Sequence, residues 1–238
     1  MCRLLGVISS APTSFAKLLA ERPRSLAALG AEHRDGWGLA SFDGGRWSVH
    51  KGTRPAPEDA RFARRAASLR GHVLVSHVRK RTVGPTRPAN THPFVRGRWV
   101  FAHNGTIEDR AFLRAGTSHA RAAEIAGDTD SELFFAWLLT RLDEGSAAGA
   151  DATLASAIAE CRARPRFGSF NFLLSEGTTS WVHRFGRELF VLERDAGGRR
   201  APSVFVASEP ITSEPWREVP DGTLLRVSLP ELRLAPIG

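Results

Sequence analysis

Short apolar runs separated by polar turns dominate the chain. The run after Cys2, roughly residues 3–9, predicts a buried strand, and residues 73–78 and 99–102 predict two more. Asp43-Gly44-Gly45 predicts a hairpin turn between strands near 39–42 and 46–50. Further strands are predicted near 170–174, 181–184, 189–192, 204–207 and 223–227. The predicted strands are therefore spaced as in hairpins more often than as in strand–helix–strand units.

Helical periodicity is concentrated in the middle of the chain. Residues 57–69 predict a helix with Pro57 near its start, and the longest helix begins around 128–132 and runs to about Arg141. Residues 151–162 predict another. This mixture predicts an α+β fold with mainly antiparallel sheets. No domain boundary is visible, so we expect a single domain over residues 1–238.

Composition excludes several protein classes. Hydrophobic residues make up 42% of the chain, which suffices for a sizeable core. No apolar stretch is long enough to span a bilayer and no signal peptide is recognisable, so we expect a cytoplasmic protein without a membrane partner. Two cysteines, Cys2 and Cys161, exclude a disulfide framework and a cysteine-rich zinc site.

A formal charge of +8 raises the question of nucleic acid. The arginines are scattered, however, and the denser set at Arg61, Arg64, Arg65 and Arg70 is typical of a solvated helix face. We do not expect nucleic acid as a partner, and a basic nucleic-acid-binding module stays a remote alternative.

Cys2 is the main candidate for chemistry. If Met1 is removed, Cys2 carries a thiol and a free α-amine, whose pKa of roughly 8 suits a general base. One residue would then supply both nucleophile and base. The alternative is a chance cysteine in front of a buried strand, and the rest of the chain must decide between them.

Several motifs support the first interpretation by their order. They are Asp35-Gly36-Trp37-Gly38, His77-Val78-Arg79, Asn90-Thr91-His92-Pro93-Phe94, His103-Asn104-Gly105 and Thr129-Asp130-Ser131-Glu132, followed by Ala207-Ser208-Glu209-Pro210 and Trp216. With Cys2, this series resembles a class II glutamine amidotransferase domain of the stand-alone branch, an N-terminal-nucleophile hydrolase. The resemblance implies a four-layer α-β-β-α sandwich of two mainly antiparallel sheets, with the mature chain starting at Cys2.

The resemblance also implies catalytic roles. Cys2 would attack the carbonyl carbon of a γ-glutamyl amide. The Asn104 side-chain amide and the Gly105 N–H would form the oxyanion hole. For Asn104-Gly105, the alternative is a type I′ turn, which the dipeptide alone favours.

Substrate binding is implied for four residues. Arg79 would clamp the substrate α-carboxylate, and Asp130 would hold its α-ammonium group. The alternatives are a surface arginine and a helix N-cap, a position for which Thr129 competes with Asp130. Thr82 and Val83 would line the pocket through backbone groups.

Six further residues are candidates for a supporting role around this site: His33, Asp35, Gly36, Trp37, His92 and His103. We assign no proton transfer to His92 or His103 and expect both to be hydrogen-bonded structural histidines. The segment around His33 departs from the family pattern, which leaves the group that orients the Cys2 amine open. Arg81 departs too, and either narrows the pocket or points to solvent. Cys161 is expected to be a core or partly buried thiol without a catalytic role.

The expected activity is hydrolysis of a γ-glutamyl amide through a thioester on Cys2. The substrate would be a small molecule, glutamine or a γ-glutamyl peptide or metabolite, and the products glutamate and ammonia or an amine. This chemistry requires no metal or organic cofactor. The alternative is a glutaminase subunit that is active only with a separate, ammonia-using synthase.

Overall fold

The computed structural model describes residues 2–21, 23–81, 84–145, 147, 149–198 and 201–237. Thr82 and Val83 therefore lie outside the described residues, as does Met1. Among the described residues, no helix combines the length and the apolar character that crossing a membrane requires.

Strands make up most of the regular structure. They are β1 (Arg3–Ser14), β2 (Trp37–Phe42), β3 (Trp47–Gly52), β4 (Arg70–Val78), β5 (Phe94–Arg96), β6 (Trp99–Ile107), β7 (Gly168–Ser175), β8 (Thr179–His183), β9 (Phe190–Arg194), β10 (Ser203–Ala207), β11 (Arg217–Glu218), β12 (Leu224–Ser228) and β13 (Leu234–Ile237). The helices are α1 (Leu26–Gly30), α2 (Ala60–Ser68), α3 (Arg110–Ala115), α4 (His119–Ala123), α5 (Asp130–Glu144) and α6 (Gly149–Arg162). A π-helical turn covers Lys17–Glu21, and 3-10 turns cover Ala56–Glu58 and Pro88–Asn90.

The strands form two antiparallel sheets. The first has the order β11-β9-β10-β1-β4-β2-β3, and the second has the order β13-β12-β8-β7-β6-β5. In the first sheet, the central strand β1 pairs with β10 on one side and β4 on the other, with Arg3 opposite Val78. The first residues of β1 therefore lie beside the end of β4.

Alternation of side chains along each strand explains the layering. On β6, Val100 and Ala102 belong to the apolar cluster between the two sheets, whereas Phe101 belongs to the cluster under α5 and α6. On β1, Leu4 faces the other sheet, and Leu5 packs in a third cluster that includes residues of α1 and α2. These three clusters confirm the expected α-β-β-α sandwich.

The structure corrects several predicted boundaries. β1 extends beyond the predicted residues 3–9 to Ser14, through an irregularity between Ile8 and Thr13. β5, β11 and β13 were not predicted. The alternative of a type I′ turn at Asn104-Gly105 is wrong: both residues lie inside β6, opposite Asn171 and Phe170 of β7. Thr129 is the N-cap of α5, with its hydroxyl accepting from the Glu132 N–H.

Candidate active site

The Cys2 thiol lies just before β1, against the segment that follows β4. It donates to the Lys80 carbonyl and accepts from the Lys80 N–H, with both distances 3.3 Å. Burial raises the pKa of the thiol, while the Lys80 hydrogen bond and the charge of Arg79 oppose that rise. Because the pKa is raised, the sulfur is protonated near neutral pH, and a nucleophilic role requires a base.

Residues from four separate segments line one cavity with Cys2, which we call the thiol cavity. Arg79, Gly105 and Asp130 all line it, together with His92 and His103. Its volume is about 30 Å³. A thiol, a guanidinium and a carboxylate in one cavity are the groups that bind and attack an α-amino acid derivative.

Arg79 is buried and is held by its backbone and its side chain. Its N–H donates to the Gly36 carbonyl at 2.8 Å, and its carbonyl accepts from the Asp35 N–H at 3.0 Å. Its guanidinium donates to the carbonyls of Pro85 and Gly84 at 3.1 and 3.3 Å. The alternative of a surface arginine is therefore wrong.

Asp35 and Gly36 shape the segment around Arg79. The Asp35 carboxylate accepts from the Arg81 N–H at 2.8 Å and from the Thr86 hydroxyl at 3.3 Å. Gly36 has a φ of +122°, and a Cβ there would lie 2.6 Å from the Gly52 carbonyl oxygen. This position thus requires glycine. The Arg81 side chain is exposed, in agreement with the solvent-pointing alternative.

Asp130 is the first residue of α5 and is only 4% exposed. One of its carboxylate oxygens accepts from the Ile107 N–H at 2.7 Å. Since Thr129 caps the helix, Asp130 is not needed for that purpose. A buried carboxylate that lines the thiol cavity can bind a cation there.

Asn90, which we did not single out as a site residue, connects the segment after Arg79 to the segment before Asp130. Its amide nitrogen donates to the Pro85 carbonyl at 2.9 Å, and its amide oxygen accepts from the Asp128 N–H at 2.8 Å. A Cβ at Gly84 or Gly127 would lie within 3.0 Å of the Asn90 amide. Asn90 therefore fixes the Arg79 side of the cavity relative to the start of α5.

His103 is hydrogen-bonded, as expected. Its Nε2 lies 3.3 Å from the Ser169 carbonyl, which can only accept, so we place the proton on Nε2. Its Nδ1 then accepts from the Ser131 hydroxyl at 2.8 Å. Burial lowers the pKa of His103, and the nearby Asp130 partly offsets this.

For His92, the expectation of a hydrogen-bonded ring is wrong. Both of its ring nitrogens, and both of those of His77, are buried without a hydrogen-bond partner among the described residues. The two rings lie 4.4 Å apart. Burial lowers the pKa of His77 to about 3 and holds that of His92 well below its usual range. Two neutral histidines therefore stand in contact beside the thiol cavity.

Asn104 faces a different cavity from Gly105. Successive residues of a strand point to opposite faces, so His103 and Gly105 line the thiol cavity and Asn104 does not. Asn104 lines a neighbouring cavity of about 380 Å³, which we call the second cavity. Its other lining residues are Arg3, Gly186, Arg187, Glu188, Ser208 and Glu209.

The remaining sequence candidates have structural contacts. The buried His33 ring donates from Nδ1 to the Leu29 carbonyl at 2.6 Å, which ties it to the end of α1. Trp37 donates to the Asp59 carboxylate at 2.9 Å and packs edge-on against Phe62. Cys161 is fully buried on the face of α6 that packs against the apolar cluster beneath it. Within the described part of the chain, no group of His, Cys, Asp and Glu side chains is arranged to hold a metal ion.

Comparison with known proteins gives a consistent result. A family model of the class II glutamine amidotransferases matches residues 1–201. A γ-glutamyl-hercynylcysteine sulfoxide hydrolase of Mycobacterium tuberculosis is 33% identical, with 96% of this chain and 93% of the relative covered.

Two solved structures share the fold. A glutamine aminotransferase class-II domain protein of Silicibacter pomeroyi has a TM-score of 0.68 at 20% identity and covers 98% of this chain and 97% of its own. Glutamine phosphoribosylpyrophosphate amidotransferase of Bacillus subtilis has a TM-score of 0.70 at 17% identity. It covers 99% of this chain but only 49% of its own. At these identities, the two structures support the fold alone.

Proposed function

Because this chain belongs to the class II glutamine amidotransferases, we propose that it hydrolyses a γ-glutamyl amide through a thioester on Cys2. The observation that carries this proposal is the thiol cavity, where Cys2, Arg79 and Asp130 meet from three distant segments. A γ-glutamyl group ends in an α-carboxylate and an α-ammonium group. Arg79 suits the first by charge and geometry, and Asp130 suits the second.

In the proposed reaction, Cys2 needs a base because its thiol is protonated near neutral pH. After removal of Met1, the free α-amine of Cys2 takes the thiol proton, and Sγ attacks the amide carbonyl carbon. The carbon–nitrogen bond breaks, and the ammonium group returns the proton to the leaving amine. Water then attacks the thioester, giving up one proton through the same amine, and the released thiolate is reprotonated. The products are glutamate and an amine or ammonia.

The oxyanion of both steps needs hydrogen-bond donors. We assign the Gly105 N–H, on the strand residue that lines the thiol cavity, and the Asn104 side-chain amide on the adjoining face. Neither His92 nor His103 suits the role of base, since burial lowers the pKa of both and makes them weak proton acceptors. No metal ion or organic cofactor enters these steps.

As for substrate, we propose a γ-glutamyl peptide or metabolite in preference to free glutamine. The Mycobacterium tuberculosis relative, which matches nearly the full length of this chain, is named for hydrolysis of a γ-glutamyl conjugate. Its name gives a class of substrate and not the compound that this chain uses.

A second candidate is a glutaminase that passes ammonia to a separate synthase. A glutamine–fructose-6-phosphate aminotransferase of Aeropyrum pernix favours it, because that relative is 34% identical over 56% of this chain, while the match covers only 21% of the relative. This alternative predicts glutamine hydrolysis that rises on addition of an ammonia-using synthase. The hydrolase proposal predicts steady turnover of a γ-glutamyl peptide by the pure protein.

Acid quenching during turnover of a γ-glutamyl peptide, followed by intact-mass measurement, tests the proposal. We expect one γ-glutamyl adduct, located on the peptide that begins with Cys2. Cys161→Ala serves as the matched control and should form the same adduct. Turnover by Cys2→Ala, or an adduct on any other residue, would contradict the thioester.

A further inference from the structure

The second cavity is lined by Arg3, which directly follows Cys2 in the chain, and by Asn104, which directly precedes Gly105. We propose that it binds the leaving amine of the substrate, and that this amine is an amino acid or a short peptide. This inference rests on the proposed function, since it takes Cys2 as the nucleophile.

The position of the second cavity follows from chain connectivity. Arg3 directly follows Cys2, and its guanidinium donates to the Cys2 carbonyl at 3.4 Å. Asn104 lies between His103 and Gly105, which line the thiol cavity. A scissile amide placed at Cys2 therefore has the thiol cavity on its glutamyl side and the second cavity on its amine side.

The volume of the second cavity favours a leaving group larger than ammonia. At about 380 Å³, the second cavity falls within the roughly 300–1,000 Å³ that is usual for small-molecule sites. Release of ammonia from glutamine would use almost none of this volume. An amino acid or a dipeptide would fill much of it.

The charges of the lining residues point to a zwitterionic or carboxylate-bearing amine. Two arginines, Arg3 and Arg187, face two glutamates, Glu188 and Glu209. Arg3 and Glu209 form an ion pair at 3.1 Å and are about one-fifth exposed. In a γ-glutamyl amino acid, the carboxylate of the leaving amine is one carbon away from the scissile nitrogen, and we assign it to Arg187, because Arg3 is already paired with Glu209. The glutamates suit a cationic group further along the leaving molecule.

The walls of the second cavity are fixed by buried side chains. The Asn171 amide on β7 is fully buried and donates to the carbonyls of Arg187 and Glu188 at 3.0 and 3.1 Å. On the other side, the Ser208 hydroxyl accepts from the Leu4 N–H at 3.0 Å. Both walls are thus tied to sheet strands, as a preorganised binding site requires.

A pair of substrates that differ in one carboxylate tests this proposal. γ-Glutamyl-L-alanine and γ-glutamyl-ethylamide share the glutamyl group and the scissile amide, and differ only at the leaving amine. We expect wild-type kcat/KM to favour the alanine conjugate about tenfold or more, as is usual for hydrogen bonds to a charged group. Arg187→Gln should reduce this preference about fivefold, the size of effect that an exposed ion pair supports. The exposed Arg70, at the far end of β4, provides the matched control Arg70→Gln, which should keep the wild-type preference.

The outcomes separate the subsite from the reaction. Equal hydrolysis of both substrates by the wild-type protein, or an equal loss on both in Arg187→Gln, would overturn the subsite and leave γ-glutamyl hydrolysis standing. Failure of the wild-type protein to hydrolyse either substrate or glutamine would overturn the proposed function, and the subsite with it. Thermal unfolding of both variants shows that each one is folded.

Discussion

The two cysteines of this chain lie in contrasting surroundings. Cys161 is fully buried among apolar side chains of α6 and the cluster beneath it, whereas Cys2 is partly exposed and lines a cavity with Arg79 and Asp130. Burial raises the pKa of both thiols. A shifted pKa therefore does not distinguish a nucleophile from a core residue. The two thiols differ instead in solvent access and in the charged groups that line the cavity around Cys2.

Replacing each cysteine by alanine in turn should give the largest difference in activity between the two regions. Cys2→Ala should lower kcat/KM for a γ-glutamyl amide about 10⁴-fold or more, as is usual for loss of a nucleophile. Cys161→Ala should leave the activity within twofold and cost about 1 kcal/mol of unfolding free energy, because it removes one buried atom from a packed site. Enzyme assays and urea unfolding measure the two effects. Comparable activity losses in both variants would contradict the assignment of Cys2, and not Cys161, as the nucleophile.

The guanidinium of Arg79 is a second feature that distinguishes the surroundings of Cys2 from those of Cys161. Arg79→Lys keeps the charge but loses the two-pronged geometry, and should lower kcat/KM for glutamine about 10- to 100-fold, mainly through KM. For 4-aminobutanamide, which lacks the α-carboxylate, the loss should be much smaller. Arg81→Lys, at the exposed neighbour, is the control. An equal loss on both substrates would show that Arg79 does not bind the carboxylate.

The substitution Asn90→Ala tests whether this one side chain holds the wall of the thiol cavity in place. Asn90→Ala removes the hydrogen bonds to Pro85 and Asp128 and leaves buried polar groups without partners. We expect a loss of about 1–3 kcal/mol in unfolding free energy, together with a raised KM. Urea unfolding and steady-state kinetics measure these changes. An unchanged KM at reduced stability would limit Asn90 to a role in folding.

The histidines beside the thiol cavity should make stability depend on pH. The pKa of His77 is about 3 in the folded protein because of burial, against roughly 6.5 when unfolded. Between these values the unfolded chain binds more protons. Stability is thus complete above about pH 6.5 and falls as the pH drops, by about 1.4 kcal/mol per pH unit for each such histidine. Between pH 7 and pH 5, His77→Gln should reduce the slope of the unfolding free energy against pH by about 1.4 kcal/mol per pH unit, which corresponds to one bound proton. An unchanged slope would mean that His77 already binds a proton in the folded state.

The sequence predicted the layers of this fold better than the walls of its site. Alternation on residues such as Val100, Phe101 and Ala102 is a local property, so the sandwich followed from pattern and resemblance together. The turn that Asn104-Gly105 favours as an isolated dipeptide does not form, because pairing of these residues with β7 overrides that preference. In the same way, Thr129 rather than Asp130 caps α5.

Other features had no sequence signal. Asn90 stood inside a recognised motif, but its bonds to Pro85 and Asp128 depend on how two loops approach each other. The ring pair of His77 and His92 joins β4 to a segment after a short 3-10 turn. The second cavity combines Arg3 with residues near 187 and 208. Such long-range contacts appear only in three dimensions.

The most direct test of the account is the intact mass of the protein after incubation with a glutamine-analogue electrophile. The account predicts a protein without Met1 that carries one adduct, located on the peptide that begins with Cys2. An adduct on Cys161, or Met1 retained in catalytically active protein, would contradict it.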